Sequence, residues 1–541
     1  MNVTKCFAFT TVLLLAFSFI SAQSPDNTTN HSKLVYPGRD GRLVYMPDER
    51  GNTIPDFSYA GYGGGGVNLP DVPVEETVEP GDSDATTRIQ AAIDRVSRMP
   101  LDKSGFRGAV LLKKGEYHLD DSIRIASSGI VLRGEGQGDD GTVLIGHKVF
   151  KDMTVPDKFN VAHFIIIEGK GGREEIPDTA RKITDDYVPV GTQRFNVEHV
   201  EGLSVRDKII VRRHGNQVWI REMGMEQENT QWSWKPEPID FDRVITAIDG
   251  NTITVDAPLV CAVETKWGGG EVIRYEDPGR LKNVGVENIR GVSDFDLTVR
   301  RSDYGNINRS PFLAAEYYAD EDHYWNFIYI ENTCNAWVRD VTALHFAGGT
   351  VLSGNGTKWI TIQDCTTREP VSFCAGWRRF TYHIRGQLSL VQRCFSDRGR
   401  HSFVLTGIKA CGPNVFLDCE ITRPFSSSEP HSHYCTGALY DNVIAPLTIR
   451  FWKEISIGWA GANCVLWNCE GQYLVQKPPT AQNYAIGHIG VHAMVFNTRY
   501  MDYGKDQGFI ESWNRHVQPR SLYLMQLEER LGEKSLKNIG Y

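Results

Sequence analysis

Apolar and polar positions alternate in short runs through the middle of the chain, and the runs recur. Gly348-Gly349-Thr350-Val351-Leu352-Ser353-Gly354 is echoed by Phe380-Thr381-Tyr382-His383-Ile384-Arg385-Gly386. His401-Ser402-Phe403-Val404-Leu405-Thr406-Gly407 and His431-Ser432-His433-Tyr434-Cys435-Thr436-Gly437 repeat it again. Each phrase ends on glycine, and a second apolar run then closes on an anchor. The anchors Cys365, Cys394, Cys419, Val443 and Cys469 are 29, 25, 24 and 26 residues apart. A period of this size marks a solenoid. Two short runs and a turn per repeat, without helical spacing, predict β-coils. The fold class expected is all-β, a right-handed parallel β-helix with an N-terminal capping helix and an inserted small β-domain.

In such a fold, equivalent residues stack about 4.8 Å apart and alternate between core and surface. The Leu352, Ile384, Leu405 and Cys435 column is expected to face inward. Val351, His383, Val404 and Tyr434 then face outward, with Ser353, Arg385, Thr406 and Thr436. His401 and His431 share a column at the strand entrance, and His433 takes the inward parity.

The flanks carry other patterns. Residues 1–22, with Lys5, the apolar Phe7 to Ile20 and Ser21-Ala22, read as a signal peptide cleaved after about Ala22. The protein is therefore expected to be exported, periplasmic or secreted. Residues 23–80 form a loosely packed leader. Residues 81–149 hold the capping helix, with Ile89, Ala92, Ile93 and Val96 at helical spacing, and the first coils. Residues 150–280 break the period and read as the inserted β-domain. Its hairpin turns at Asp249-Gly250-Asn251, and its Trp219, Trp232 and Trp234 fill a core or stack on a sugar. Residues 281–500 form the main β-helix with the active site. Residues 501–541 form a C-terminal cap, with a helix near Arg520 to Leu531 at the far end of the solenoid.

Composition narrows the class. The 541 residues include 52 glycines, as a turn-dense fold requires, and carry a net charge of −9. Loss of Lys5 with the leader gives 57 − 67 = −10. No Lys/Arg run points to nucleic acid. No apolar run beyond the leader is long enough to span a membrane. Four of the ten cysteines after Cys6 sit at the shared anchor position, which predicts an internal stack of thiols over disulfides. No spacing resembles a zinc site.

The phrase Gly81-Asp82-Ser83-Asp84-Ala85-Thr86-Thr87-Arg88-Ile89-Gln90-Ala91-Ala92-Ile93-Asp94 resembles the opening of the pectate-lyase superfamily. Leu132-Arg133-Gly134-Glu135-Gly136 and Gly412-Pro413-Asn414-Val415-Phe416-Leu417-Asp418-Cys419 fit that resemblance, which covers most of residues 55–530. It implies a β-helix from a group that includes polysaccharide lyases, glycoside hydrolases, epimerases, uronate-forming dehydratases and phage tail-spikes.

The outward columns suit β-elimination at a uronic acid of an acidic poly- or oligosaccharide. That reaction needs a base for the C5 proton, a cation for the carboxylate and an acid for the group leaving C4. Arg385 is expected to bind the carboxylate, with His383 and Tyr434 as base and acid in either order. His401, His431 and His433 complete the catalytic candidates. Arg379, Arg398, Arg400, Tyr382 and His345 make up the substrate-binding set. No cofactor or metal is expected, although calcium at Asp364, Asp418 or Asp441 is an alternative. Hydrolysis would need two opposed carboxylates, and Glu369, Asp397 and Glu429 are read as turn residues. A dehydratase making the same unsaturated uronate, a β-helix hydrolase and a non-catalytic carbohydrate-binding solenoid are the other readings.

Overall fold

A computed structural model describes residues 30–147, 162–226, 234–304, 312–453, 457–494 and 501–541. The signal-peptide segment and Trp232 lie outside the described residues. The core is a stack of coils whose strands pair in parallel. One side is a seven-stranded sheet that includes Asn326–Glu331, Gly349–Ser353, Tyr382–Ile384, Phe403–Thr406 and Glu429–Ser432. A second side carries Lys358–Gln363, Leu390–Gln392, Cys411–Leu417, Cys435–Asp441 and Val465–Trp467. A third side carries Thr366–Arg368, Phe395–Asp397 and Glu420–Thr422. Each coil thus has three strands where the sequence pattern showed two, because the third is only three residues long.

The anchors mark the corner between the second and third sides. The residue before each anchor (Asp364, Arg393, Asp418, Asn442 and Asn468) has φ between 49° and 55°. A single left-handed residue turns the chain there, and Asp and Asn tolerate that conformation best. The cysteines after it are buried and reduced. Cys394 Sγ lies 3.7 Å from the Ile362 carbonyl oxygen, Cys419 Sγ 3.6 Å from that of Val391, and Cys469 Sγ 3.1 Å from that of Tyr440. Each thiol therefore faces the coil beneath it.

The columns differ from the sequence alignment at both ends. Leu352 pairs with His383, and Ser353 with Ile384, a slip of one residue. A one-residue slip exchanges faces. Val351 therefore points into the core, while Leu352 takes the outer side. The middle rows agree with expectation: His383 pairs with Val404, and Ile384 with Leu405. The fourth row fails. Leu405 pairs with Pro430, and Val404 with Glu429. Cys435 belongs to the second side, where it pairs with Gly461. The terminal Gly437, at φ 65°, imitates the end of the repeated phrase while lying inside another strand.

Elements around the coils position the site. Helix Thr86–Ser97 buries Ile89, Ala92, Ile93 and Val96 in the solenoid core. Strands Lys208–Arg213, Ile239–Asp249, Thr252–Val255 and Gly270–Glu276 form a separate antiparallel sheet. Its apolar core includes Trp219, Phe241 and Val260 and continues into Tyr434 and Trp459 of the coils. Buried Asp242 joins the two parts, accepting from Lys358 Nζ (2.9 Å), Arg280 Nη1 (2.8 Å) and the Tyr275 hydroxyl (2.6 Å).

The leader is not loosely packed. Val35, Ile54 and Phe57 are buried with Leu522, Tyr523 and Leu527 of helix Leu522–Leu531 against Leu417, Leu439 and Trp467. That helix lies along the flank formed by the second side, not over the end of the solenoid. The three aspartates weighed for calcium are engaged. Asp364 holds Arg393, and Asp418 accepts from Arg520 and Tyr541. Asp441 accepts from Ser521 Oγ (2.7 Å) and Tyr523 N (2.8 Å) at the start of the helix. Among the described residues, no helix is long and apolar enough to cross a membrane.

Candidate functional site

Alternation places His383 on the outer face of the seven-stranded sheet, between inward Tyr382 and Ile384. It is partly exposed, and its Nε2 lies 2.6 Å from Thr406 Oγ1. Phe380, at the entrance to the strand, meets His383, His401 and His431 edge-on at 5.2, 5.1 and 5.2 Å. One phenyl ring thus holds three imidazoles around it. His401 and His431 are neighbours, as expected, with ring centroids 4.5 Å apart.

Behind the histidines is a residue that the sequence pattern places in a turn. Glu429 opens the strand Glu429–Ser432 and has no exposed surface. Its carboxylate accepts from His431 Nδ1 (2.6 Å), from Ser427 Oγ (2.9 Å) and from Thr448 Oγ1. Arg450 Nε lies 3.4 Å away, with the guanidinium 3.5 Å over the Trp452 ring. Burial would raise the Glu429 carboxyl, but the Arg450 charge and the His431 hydrogen bond outweigh it and hold it well below the usual carboxylate range. Glu429 stands two residues before His431 on an alternating strand, a spacing that could have revealed it. Arg450 and Trp452 lie outside the repeated phrases, and no sequence signal marks them.

All three histidines are held neutral. Burial lowers His383 well below its ordinary value, reinforced by Arg385 and His431. Burial likewise dominates at His401. At His431 burial again wins, although Glu429 pulls the other way. The tautomers of two rings follow from their partners. His401 Nδ1 faces the Ser427 carbonyl oxygen at 2.5 Å, and a carbonyl only accepts, so Nδ1 carries the hydrogen. His431 Nδ1 likewise donates to ionised Glu429. The Nε2 atom of each ring is left with its lone pair.

Beyond Arg385 the face opens into a cavity of about 450 Å³. Its wall includes Trp234, Lys235, Arg385, Lys409, His433 and Tyr434. Three cations face the single carboxylate of Glu237 among the described lining residues. His433 and Tyr434 have φ of 58° and 59°, which swings His433 to the surface and overturns its inward parity. Tyr434 does not share a column with His383. It is buried edge-on to Trp219 at 5.2 Å, and burial raises its phenol, so it keeps its proton.

The expected substrate-binding residues divide. Tyr382 cannot touch a ligand in the groove. Its ring is buried against Phe403 at 5.7 Å, and its hydroxyl donates within the core, 2.9 Å from the carbonyl oxygens of both Cys365 and Phe395. Arg400 is buried over Phe380 at 5.8 Å, and burial lowers it to about 10, so it remains charged at neutral pH. His345, Arg379 and Arg398 line a different cavity.

His401, Glu429 and His431 bring three ligand-type atoms within 4.8 Å of one another. Their hydrogen bonds already occupy Nδ1 of both rings and the carboxylate, and buried Arg400 and Arg450 oppose a cation there. The set fits a positioning network better than a metal centre.

No family model matches the chain, and no curated protein matches it. Among solved structures, the chain overlaps the Gp54 tailspike of Acinetobacter baumannii bacteriophage AP22, in complex with capsular saccharide. That match has 10% identity and a TM-score of 0.34, and covers 76% of this chain but only 56% of the tailspike. The mannuronan C-5 epimerase AlgE6 A-module of Azotobacter vinelandii matches with 10% identity and a TM-score of 0.31, over 81% of this chain and 94% of its own. DFA-IIIase of Arthrobacter chlorophenolicus A6 matches with 9% identity and a TM-score of 0.34, over 77% and 68%. Overlap this slight carries no residue's role across.

Proposed function

We propose that the protein is an exported carbohydrate-active lyase that performs β-elimination at a uronic acid of an acidic saccharide chain. The observation that carries this reading is the line of groups on one outer face. Glu429 backs the Nδ1 of neutral His431, neutral His383 lies beside it, and Arg385 follows at the mouth of a cation-lined cavity. Arg385 receives the substrate carboxylate and stabilises the charge that develops on it. His431 Nε2 takes the C5 proton, with Glu429 fixing the tautomer and stabilising the imidazolium that forms. The C5–H electron pair becomes the C4–C5 double bond, and the bond from C4 to its oxygen breaks. The Tyr434 phenol, held protonated, gives its proton to that oxygen. His383 and Thr406 steady the carboxylate side, and His401 packs His431 in place.

The carboxylates argue against hydrolysis. Glycoside hydrolysis uses a carboxyl group on each side of the bond. Here Glu429 is turned away behind His431, and Glu237 is the single described carboxylate on the cavity wall. The experiment is absorbance of unsaturated uronates on a panel of acidic polysaccharides and oligomers, with mass spectrometry of the products. A rise that survives chelation and is lost in His431→Ala is expected. New reducing ends without absorbance would overturn the reading in favour of hydrolysis. Loss of water without chain shortening would replace the lyase by a dehydratase at the same site.

A further inference from the structure

On the other side of the histidines from Arg385, a second cavity of about 380 Å³ opens. Its walls are largely aromatic, with Glu316 3.9 Å from Arg300 and Glu369 3.8 Å from His345. Tyr304 lies 4.4 Å from Tyr317 at 30° and 6.0 Å from Phe425, and Phe295 meets Tyr318 at 5.2 Å. Its cations are set among those rings. Arg300 lies 4.6 Å over Tyr318 and donates to its hydroxyl at 2.8 Å. Arg379, 3% exposed, sits 5.3 Å over Phe425. Arg398 keeps 43% of its side chain exposed. Its acidic neighbour Asp397 is already gripped by both Nε and Nη2 of Arg423, so Arg398 reaches it only at 3.9 Å. Flat rings with guanidinium groups between them suit the apolar faces and carboxylates of uronic sugars.

We propose that this cavity is a second binding site for the same acidic saccharide chain, engaging it away from the reacting bond. The inference rests on the groove being read as the reacting centre. Arg379 and Arg385 flank one strand, Tyr382–Ile384, with Phe380 and His383 between them. Six residues span at most about 20 Å. A polymer laid along the strand reaches both cavities, whereas a terminal sugar reaches one. The substrate is therefore a chain held on both sides of the sugar that reacts, which makes internal attack the favoured mode.

The test uses Arg398→Ala and Phe312→Ala, both at exposed positions on the cavity wall, so the fold should survive. In an acidic oligosaccharide size ladder, kcat/KM of the unsubstituted protein should rise with chain length. Arg398→Ala should lose about tenfold on the longest chains and nothing on the shortest chain turned over. Phe312→Ala should show the same length dependence. A rate independent of length, or an equal loss at every length, overturns the proposal. Retardation in gels carrying acidic polysaccharide reads the cavity separately from catalysis. If elimination is absent altogether, retardation weakened by Arg398→Ala still supports the second site, and unchanged retardation refutes it.

Discussion

Replacing Glu429 by Gln tests the arrangement at its hub. The substitution keeps the volume and removes one buried charge. Arg450, with no exposed side-chain surface, loses the carboxylate 3.4 Å from its Nε. Breaking a buried pair from one side costs about 3–5 kcal/mol, a large part of a typical stability of about 5–15 kcal/mol. Ser427 and Thr448 moderate that cost, because their hydroxyls can reverse and accept from an amide. The consequence at His431 is chemical. If the Gln amide nitrogen faces Nδ1, the ring must accept there, which moves its hydrogen to Nε2 and removes the lone pair the reaction needs. A base in the wrong tautomer loses about 10²–10⁴ in rate. If the Gln oxygen faces Nδ1, the imidazolium loses its counter-charge instead.

Both orientations predict a fall of at least about a hundredfold in kcat/KM, measured by uronate absorbance. They also predict a shift in the acid limb of the pH profile. Glu429 raises His431 against the effect of burial, so its removal should move that limb to lower pH. A folding defect alone would not shift it. Glu429→Gln combined with Arg450→Met should recover stability by removing the orphaned charge, without recovering activity. Unchanged kcat/KM and an unmoved acid limb in Glu429→Gln, or activity restored in the double variant, would refute the role of Glu429 behind His431.

Two further outcomes follow from buried groups away from the histidines. Burial raises Asp441 to about 7 while Ser521 and Tyr523 oppose the shift, so the folded protein keeps a proton that the unfolded chain loses from about pH 4. Stability should therefore fall as pH rises from about 4 to 7 and level off above, and urea midpoints of the unsubstituted protein minus those of Asp441→Asn should show this slope; a flat difference would refute it. Tyr382→Phe should cost about 1–2 kcal/mol, through loss of the hydroxyl's bonds to Cys365 and Phe395, with kcat/KM unchanged. A large loss of activity at unchanged stability would return Tyr382 to the site.

The period in the sequence carried the fold because it records a backbone event. Each anchor follows a left-handed residue, and Asp364, Asp418, Asn442 and Asn468 carry that signature in their side chains. The interior of the middle rows was legible for the same reason: His383 and Val404 fall outward on two strands in simple register. The pattern failed where register changes without leaving a mark. The slip between Leu352 and His383 exchanges two apolar residues, which an apolar count cannot detect. Glu429 joins the sheet opposite Val404, and the irregularity after Leu405 then passes over His431, with Tyr434 beyond it on the next wall. The expected outward placement therefore holds for His383 and Arg385, whose position depends on one strand, and fails for Tyr434, whose position depends on alignment between strands. Glu429 shows the remaining difficulty. A lone carboxylate before Pro430 looks like a turn residue until Arg450, His401 and Thr448 surround it. Those partners come from two different stretches of chain, around His401 and around Thr448 to Arg450, and only the stacking of coils brings them together.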